Sequence, residues 1–277
     1  MTTLFITDMD GTLLGTDSLV SAESAAIISE LTRRGALISV ATARTPATVE
    51  PLLRDTLTTP PAIVLTGGAL WDRERHRFIS PHTLGEAKGL ELTRRFKEHG
   101  VEPFVYTLAD DDARACMRVD HAEGMSDIEE EFYSQRSDLA LKRFVFGAER
   151  FPEGGRVLLL LGIGPTGRIM GLAEELRKDA GVAVSAYPDP MHEGISLIEV
   201  FTTGISKAAA VLRLKEMTGA GRVVVYGDNL NDLPMFAVAD ESVAVANALA
   251  QVREAATRVI GPNTESSVAR DMQQVFE

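Results

Sequence analysis

Asp8 and Asp10 close a short apolar run in the string LFITDMDGTLL, residues 4–14. Two carboxylates one residue apart, where a buried strand stops, can serve one small volume in different roles. One can attack, the other can move protons, and both can help hold a divalent cation. Leu4 to Thr7 read as the strand and Gly11 as its exit. Asp and Gly are also ordinary turn residues, so the pair alone does not separate an active site from a solvated turn.

Other strand ends carry matching chemistry. Arg222 to Tyr226 reads as a strand ending in GDNLND, which delivers Gly227, Asp228, Asn229, Asn231 and Asp232. Ala36 to Ala41 delivers Thr42, Ala43 and Arg44, and Ala62 to Thr66 delivers Gly67 and Gly68. In a parallel sheet, ligands bind beyond the carboxyl ends of the strands. Converging carboxylates repel unless a hard cation joins them. Mg²⁺ suits, since it takes oxygen ligands and is shared between carboxylates and a substrate phosphate. Lys207 opens a helix, an unfavourable place for a cation. Its ammonium is therefore read as a partner for phosphate.

The elements that must position these residues alternate at both ends of the chain. After the first strand comes an amphipathic helix over Ala22 to Arg34, with Ser21 as N-cap and Gly35 closing it. Thr45 to Asp55 reads as a helix with Pro46 in its first turn, and Ala69 to Trp71 with Arg77 to Ile79 as a hairpin. The middle carries helices at 86–99, 126–137 and 167–178, and short strands at 101–107, 141–146, 157–163 and 182–186. Alternation resumes with a helix over 206–217 and strands at 222–226, 242–245 and 258–260. The expected fold is α/β: a doubly wound, Rossmann-like parallel-sheet core, residues 1–82 and 199–277, with an α+β domain inserted at 83–198.

Composition narrows the function classes. The 277 residues are 45% hydrophobic and 25% charged, an ordinary globular balance for about two domains. A net charge of −12 argues against nucleic acid as partner. The single cysteine, Cys116, excludes an intrachain disulfide and reads as a small buried residue. There is no basic n-region at the start, and the longest apolar run, Val157 to Ile163, is far below the roughly 18 residues of a membrane span. A soluble cytoplasmic protein with no membrane partner is expected; the pattern carries no signal for oligomeric state. The acidic runs Asp110 to Asp112 and Glu129 to Glu131 read as solvated surface. Gly162, Gly164 and Gly167 spell GxGxxG, with Asp189 about twenty residues on, a dinucleotide pattern that leaves both carboxylate strings unexplained.

With these residues in view, the chain resembles the haloacid dehalogenase-like phosphatases, in particular the Cof-type branch with a large cap. FITDMDGTLL is similar to the family's first motif, ATAR to its second, Lys207 in GISKAAAVLRL to its third and GDNLNDLPMF to its fourth. VANALAQVREAA also fits the family pattern. The resemblance implies a phosphatase for small phosphorylated metabolites, sugar phosphates first among them. It implies that Asp8 attacks phosphorus and that Asp10 protonates the leaving alcohol and then activates water. Mg²⁺ would be held by Asp8, the Asp10 carbonyl and Asp228, with Asp232 in support. Thr42, the Ala43 amide, Lys207 and Asn231 would bind phosphate, while Arg44, Gly67 and Gly68 would contact substrate or brace the loop. The sequence departs from the family where Gly67-Gly68 replaces a common Asn-Gly pair, where Ala43 replaces a glycine, and at Ala208. The inserted domain would set substrate choice, with Tyr187, Asp189 and His192 as candidates. A phosphomutase or a non-catalytic phosphometabolite sensor remains open at this point.

Overall fold

The computed structural model describes residues 2–109, 115–147, 154–189 and 191–277. The Asp110 to Asp112 run lies outside the described residues. The chain forms two compact units, Met1–Ser80 with Ser206–Glu277, and Pro81–Ile205.

The first unit begins with β1 (Thr3–Thr7), α1 (Ala22–Arg33), β2 (Leu37–Val40), α2 (Pro46–Leu53), β3 (Ala62–Val64), β4 (Ala69–Asp72) and β5 (Arg77–Ile79). Leu4, Phe5 and Ile6 are fully buried. Such side chains each contribute roughly 1.5–3 kcal/mol, and a strand buried on both faces belongs inside a parallel sheet. Helix α1 starts where Ser21 Oγ accepts the Ser24 amide at 3.0 Å. Its end is turned by Gly35 at φ +95°. Helix α2 has Pro46 in its first turn. The third strand stops at Val64, two residues before the expected end, because Leu65 and Thr66 both turn to positive φ.

The second unit holds α3 (Glu86–Glu98), β6 (Phe104–Leu108), β7 (Ala115–His121), α4 (Asp127–Ser134), β8 (Leu141–Phe146), β9 (Val157–Pro165), α5 (Thr166–Leu176), β10 (Val182–Pro188) and β11 (Ile195–Thr202). They build a six-stranded mixed sheet in the order β10-β11-β9-β6-β7-β8, parallel only between β7 and β8. Leu92 and Phe96 of α3 and Ile169, Leu172 and Leu176 of α5 pack with Leu160, Ile198 and Val200 of the sheet.

Two of these strands lie outside the sequence reading. In β7, Arg118 and Asp120 interrupt the apolar pattern and pair with each other at 2.5 to 3.0 Å. In β11, Ser196 and Glu199 interrupt it. Because β11 pairs with both β9 and β10, the second unit runs on to Ile205 rather than ending at 198. Strand β9 is antiparallel to both neighbours, unlike the first strand of a dinucleotide-binding unit. A Cβ at its Gly162 would lie 2.7 Å from Val101 and 3.0 Å from Phe96, so this glycine serves helix-on-sheet packing. Glu129 is buried rather than solvated and closes a capping box, accepting from the Ser126 amide at 2.7 Å. Cys116 donates to the Leu141 carbonyl at 2.9 Å.

The chain then returns to the first unit with α6 (Lys207–Thr218), β12 (Arg222–Gly227), α7 (Leu233–Phe236), β13 (Glu241–Ala244), α8 (Ala250–Ala255), β14 (Arg258–Val259) and α9 (Ser267–Phe276). The core sheet is parallel throughout, in the order β14-β13-β12-β1-β2. Strand β3 joins it through the Ala41–Ile63 bridge and forms a small antiparallel sheet with β4 and β5. The order reverses at β1: the chain passes to β2 on one side and returns through β12 on the other. The crevice beyond the carboxyl ends at such a switch point is where ligands bind. Among the described residues no helix is long and apolar enough to cross a membrane.

Candidate active site

Asp8 and Asp228 leave the adjacent ends of β1 and β12, and the Asp8 amide still donates to the Tyr226 carbonyl at 2.9 Å. Past Asp8 the backbone kinks, with Gly11 at φ +76°. A Cβ on Gly11 would lie 2.9 Å from Asp228 Cγ, so glycine permits the two strand ends to approach. Asp232, fully buried, completes the group. One carboxylate oxygen from each of Asp8, Asp228 and Asp232 lies within 4.8 Å of the others.

Lys207 is buried among them. Its Nζ donates to Asp8 Oδ1 at 2.5 Å and to Asp232 Oδ1 at 2.7 Å. These partners offset the unfavourable position of a lysine at a helix start. The other oxygen of Asp232 accepts the Asp228 and Asn229 amides, both at 3.0 Å, and so shapes the GDNLND turn. Both oxygens of Asp232 are thereby engaged. Three carboxylates against one ammonium leave a net two negative charges when all are ionised.

The electrostatics register this excess. Burial pushes the Asp8 carboxyl up to about 7, against the pull of Lys207 and with the push of Asp232 and Asp228. Asp228 is raised to about 6, again mainly by burial, while the Thr12 hydroxyl bonded to it at 2.8 Å works the other way. Burial pulls the Lys207 ammonium down, but Asp8 and Asp232 outweigh it and hold it above the ordinary lysine range. All donors in the group are oxygens, and its charge deficit matches a hard divalent cation.

Asp10 parts company with Asp8. It is exposed, and Arg44 grips it with two bonds, Nε to Oδ2 at 2.8 Å and Nη2 to Oδ1 at 2.6 Å. This pair also raises the Arg44 guanidinium. Thr42 is buried, with its Oγ1 accepting the Arg44 amide at 3.2 Å. Ala43 is half-buried beside it and Asn231 is exposed on the turn after β12. Gly67 and Gly68 are buried in the turn after β3.

Thr12, which orients Asp228, and Asn247, whose Nδ2 donates to the Gly11 carbonyl at 2.8 Å, lie outside the sequence reading of the site. Their only signals in the chain are the threonine of DGT and the asparagine of VANA. In the second unit, His192 lies between Glu131, 3.3 Å from Nε2, and Asp189, 3.4 Å from Nδ1.

The chain is similar over nearly its whole length to proteins of known name. The 5-amino-6-(5-phospho-D-ribitylamino)uracil phosphatase YwtE of Bacillus subtilis (strain 168) is 26% identical, covering 97% of this chain and 96% of that protein. Pyridoxal phosphate phosphatase YbhA of Escherichia coli (strain K12) is 25% identical, covering 98% and 97%. A haloacid dehalogenase-like hydrolase from Bacteroides thetaiotaomicron superposes with a TM-score of 0.82 at 21% identity, covering 99% of this chain and all of that one, a likeness of fold. The family model of the haloacid dehalogenase-like hydrolases matches residues 5–272. The chain therefore belongs to the haloacid dehalogenase-like hydrolase family, and within it is a phosphatase, a phosphoric monoester hydrolase.

Proposed function

We propose that this chain is a Mg²⁺-dependent phosphatase that hydrolyses phosphate monoesters of small metabolites, sugar phosphates among them, through a phosphorylated Asp8. The observation that carries the reading is the strand-end group of three carboxylates bridged by one buried lysine. The relatives support the substrate class, since their names specify a phosphorylated ribityl compound and pyridoxal phosphate.

Asp8, Asp228 and the Asp10 carbonyl would hold Mg²⁺, with Asp232 in support. When bound, the ion neutralises the carboxylates and the charge of the phosphoryl group. The Asp8 carboxylate attacks phosphorus; an O–P bond forms to Asp8 and the ester O–P bond breaks. Asp10 gives its proton to the departing alkoxide. It then takes a proton from the water that attacks the aspartyl-phosphate, releasing inorganic phosphate and restoring Asp8. The Arg44 pair suits Asp10 in this second role, as a base. It has to open before Asp10 carries a proton in the first. Lys207 has three N–H donors, two of them given to Asp8 and Asp232. The third serves a phosphate oxygen, together with Thr42, the Ala43 amide and Asn231.

The test is a panel of phosphorylated metabolites, sugar phosphates and phosphorylated cofactors included, assayed for inorganic phosphate with and without Mg²⁺. Mg²⁺-dependent release from one or more members is expected. Isomerised phosphoester with no free phosphate would indicate a mutase, and binding without turnover a sensor; either result overturns the reading.

A further inference from the structure

The turn after β3 is built at odds with its own residues. Leu65, Thr66 and Gly67 follow one another at φ +54°, +57° and +94°. Leucine and a β-branched threonine rarely adopt this region, and such conformations persist only where their surroundings enforce them. Here the surroundings are the site itself. The Leu65 amide donates to the Arg44 carbonyl at 3.0 Å, and the Thr66 amide to the Thr42 carbonyl at 3.0 Å. The turn therefore holds both ends of the Thr42–Arg44 loop.

Its other side meets α6. A Cβ on Gly67 would overlap the Ser206 carbonyl group, 2.5 Å from its carbon, and lie 3.0 Å from the Lys207 nitrogen. These are backbone atoms, which have no rotamer to escape into. Ser206 is also where the chain re-enters the first unit, so α6 needs a fixed point at its start.

We propose that the Leu65–Gly68 turn is a positioning element for the reaction, with Gly67 its critical residue. It sets the start of α6, and hence the Lys207 ammonium, against Asp8, while its amides set the Thr42 loop. Gly67 touches no reacting atom and acts through Lys207. This assignment rests on the phosphatase reading for the role of Lys207. Gly67 is conformationally a glycine for two reasons at once, its positive φ and its lack of space, and a matched control separates them. Gly35 has nearly the same φ, +95°, yet among the described residues nothing beyond its chain neighbours lies within 4 Å of the Cβ position.

The test compares Gly67→Ala with Gly35→Ala in the full chain, using p-nitrophenyl phosphate and Mg²⁺, with rates normalised to folded protein by circular dichroism. Both variants place alanine at nearly the same positive φ. Only Gly67→Ala should lose kcat/KM, by about 10- to 100-fold, the scale of a misplaced catalytic group. In its crystal structure the Lys207 Nζ should have left hydrogen-bonding distance of Asp8. Equal losses in both variants, or an unmoved Lys207 in Gly67→Ala, overturn the proposal. Ser206→Ala gives a second arm should Gly67→Ala not fold. It removes only the helix cap, in which Ser206 Oγ accepts the Ala209 amide at 3.1 Å, and should keep kcat/KM within about threefold. A tenfold loss there would assign the positioning to the cap and overturn the role of the turn. If the wild-type protein releases no phosphate, the phosphatase reading fails, while the Lys207 position in the two crystal structures still decides this one.

Discussion

Asp8→Asn is expected to lower kcat by at least about 10⁴-fold while leaving the fold intact, the scale seen when a covalent nucleophile is removed. An amide of the same shape cannot form the phosphoryl ester, and the two other carboxylates of the group are already engaged. Asp228 is fixed by Thr12, and Asp232 has both oxygens engaged, one with Lys207 and one with two amides. The stability readout separates loss of chemistry from loss of structure. Without metal, the wild-type group has three carboxylates facing one ammonium. The substitution removes one of these negative charges, so the variant's thermal midpoint at pH 8 in EDTA should be no lower than wild type. A variant that retains wild-type turnover of a generic phosphate ester would remove Asp8 from the mechanism.

Metal removal is the second large effect. Stripping divalent ions with EDTA should reduce turnover by at least about 10³-fold, with Mg²⁺ restoring it, since such an ion supplies several kcal/mol of charge stabilisation. The same carboxylates make stability pH-dependent. Asp8 and Asp228 are raised from 3.8 to about 7 and about 6 in the folded protein. Between those values and 3.8 the folded chain holds protons that the unfolded chain has released, so metal-free stability falls as pH rises from about 4 to 7. The loss shows as a lower metal-free thermal midpoint at the higher pH. Mg²⁺ competes with those protons and should therefore stabilise more at pH 8 than at pH 5. Thermal melts at both pH values, with EDTA and with Mg²⁺, measure both signs. A metal-free midpoint that climbs from pH 5 to 8 would contradict the electrostatic description of the site.

Much of this site is legible in the chain because strand ends are legible. An apolar run followed by a carboxylate and a glycine marks Asp8, and RVVVYGDNLND marks Asp228 in the same way. The parallel register of β1 and β12 then brings the two together without further information. What each polar residue pairs with is less accessible, since those partners are distant in the chain. The grip of Arg44 on Asp10 and the bridge from Lys207 to Asp232 depend on loop conformation, which no periodicity encodes. In sequence Lys207 reads as a cation for phosphate; its bonds to Asp8 and Asp232 add a role in holding the carboxylates together. The inserted unit is less legible because β7 and β11 carry paired or isolated polar residues within apolar stretches. Gly67 reads in sequence as a substitution for a common asparagine. Its contact with the Ser206 carbonyl gives a steric reason for glycine at this position in this chain.

The proposed chemistry turns on a phosphoryl group carried by Asp8, which can be trapped. In Asp10→Asn the base that activates water is gone, so a phosphorylated enzyme should accumulate on mixing with Mg²⁺ and p-nitrophenyl phosphate, whose phenolate leaves without the proton Asp10 would give. Acid quenching followed by peptide mass spectrometry should find one phosphoryl group on the peptide containing Asp8, absent when Asp8 is also changed to Asn. Phosphate release by the wild-type protein with an unmodified Asp8 in the Asp10→Asn variant, or a phosphoryl group on any other residue, would exclude Asp8 as the phosphoryl carrier.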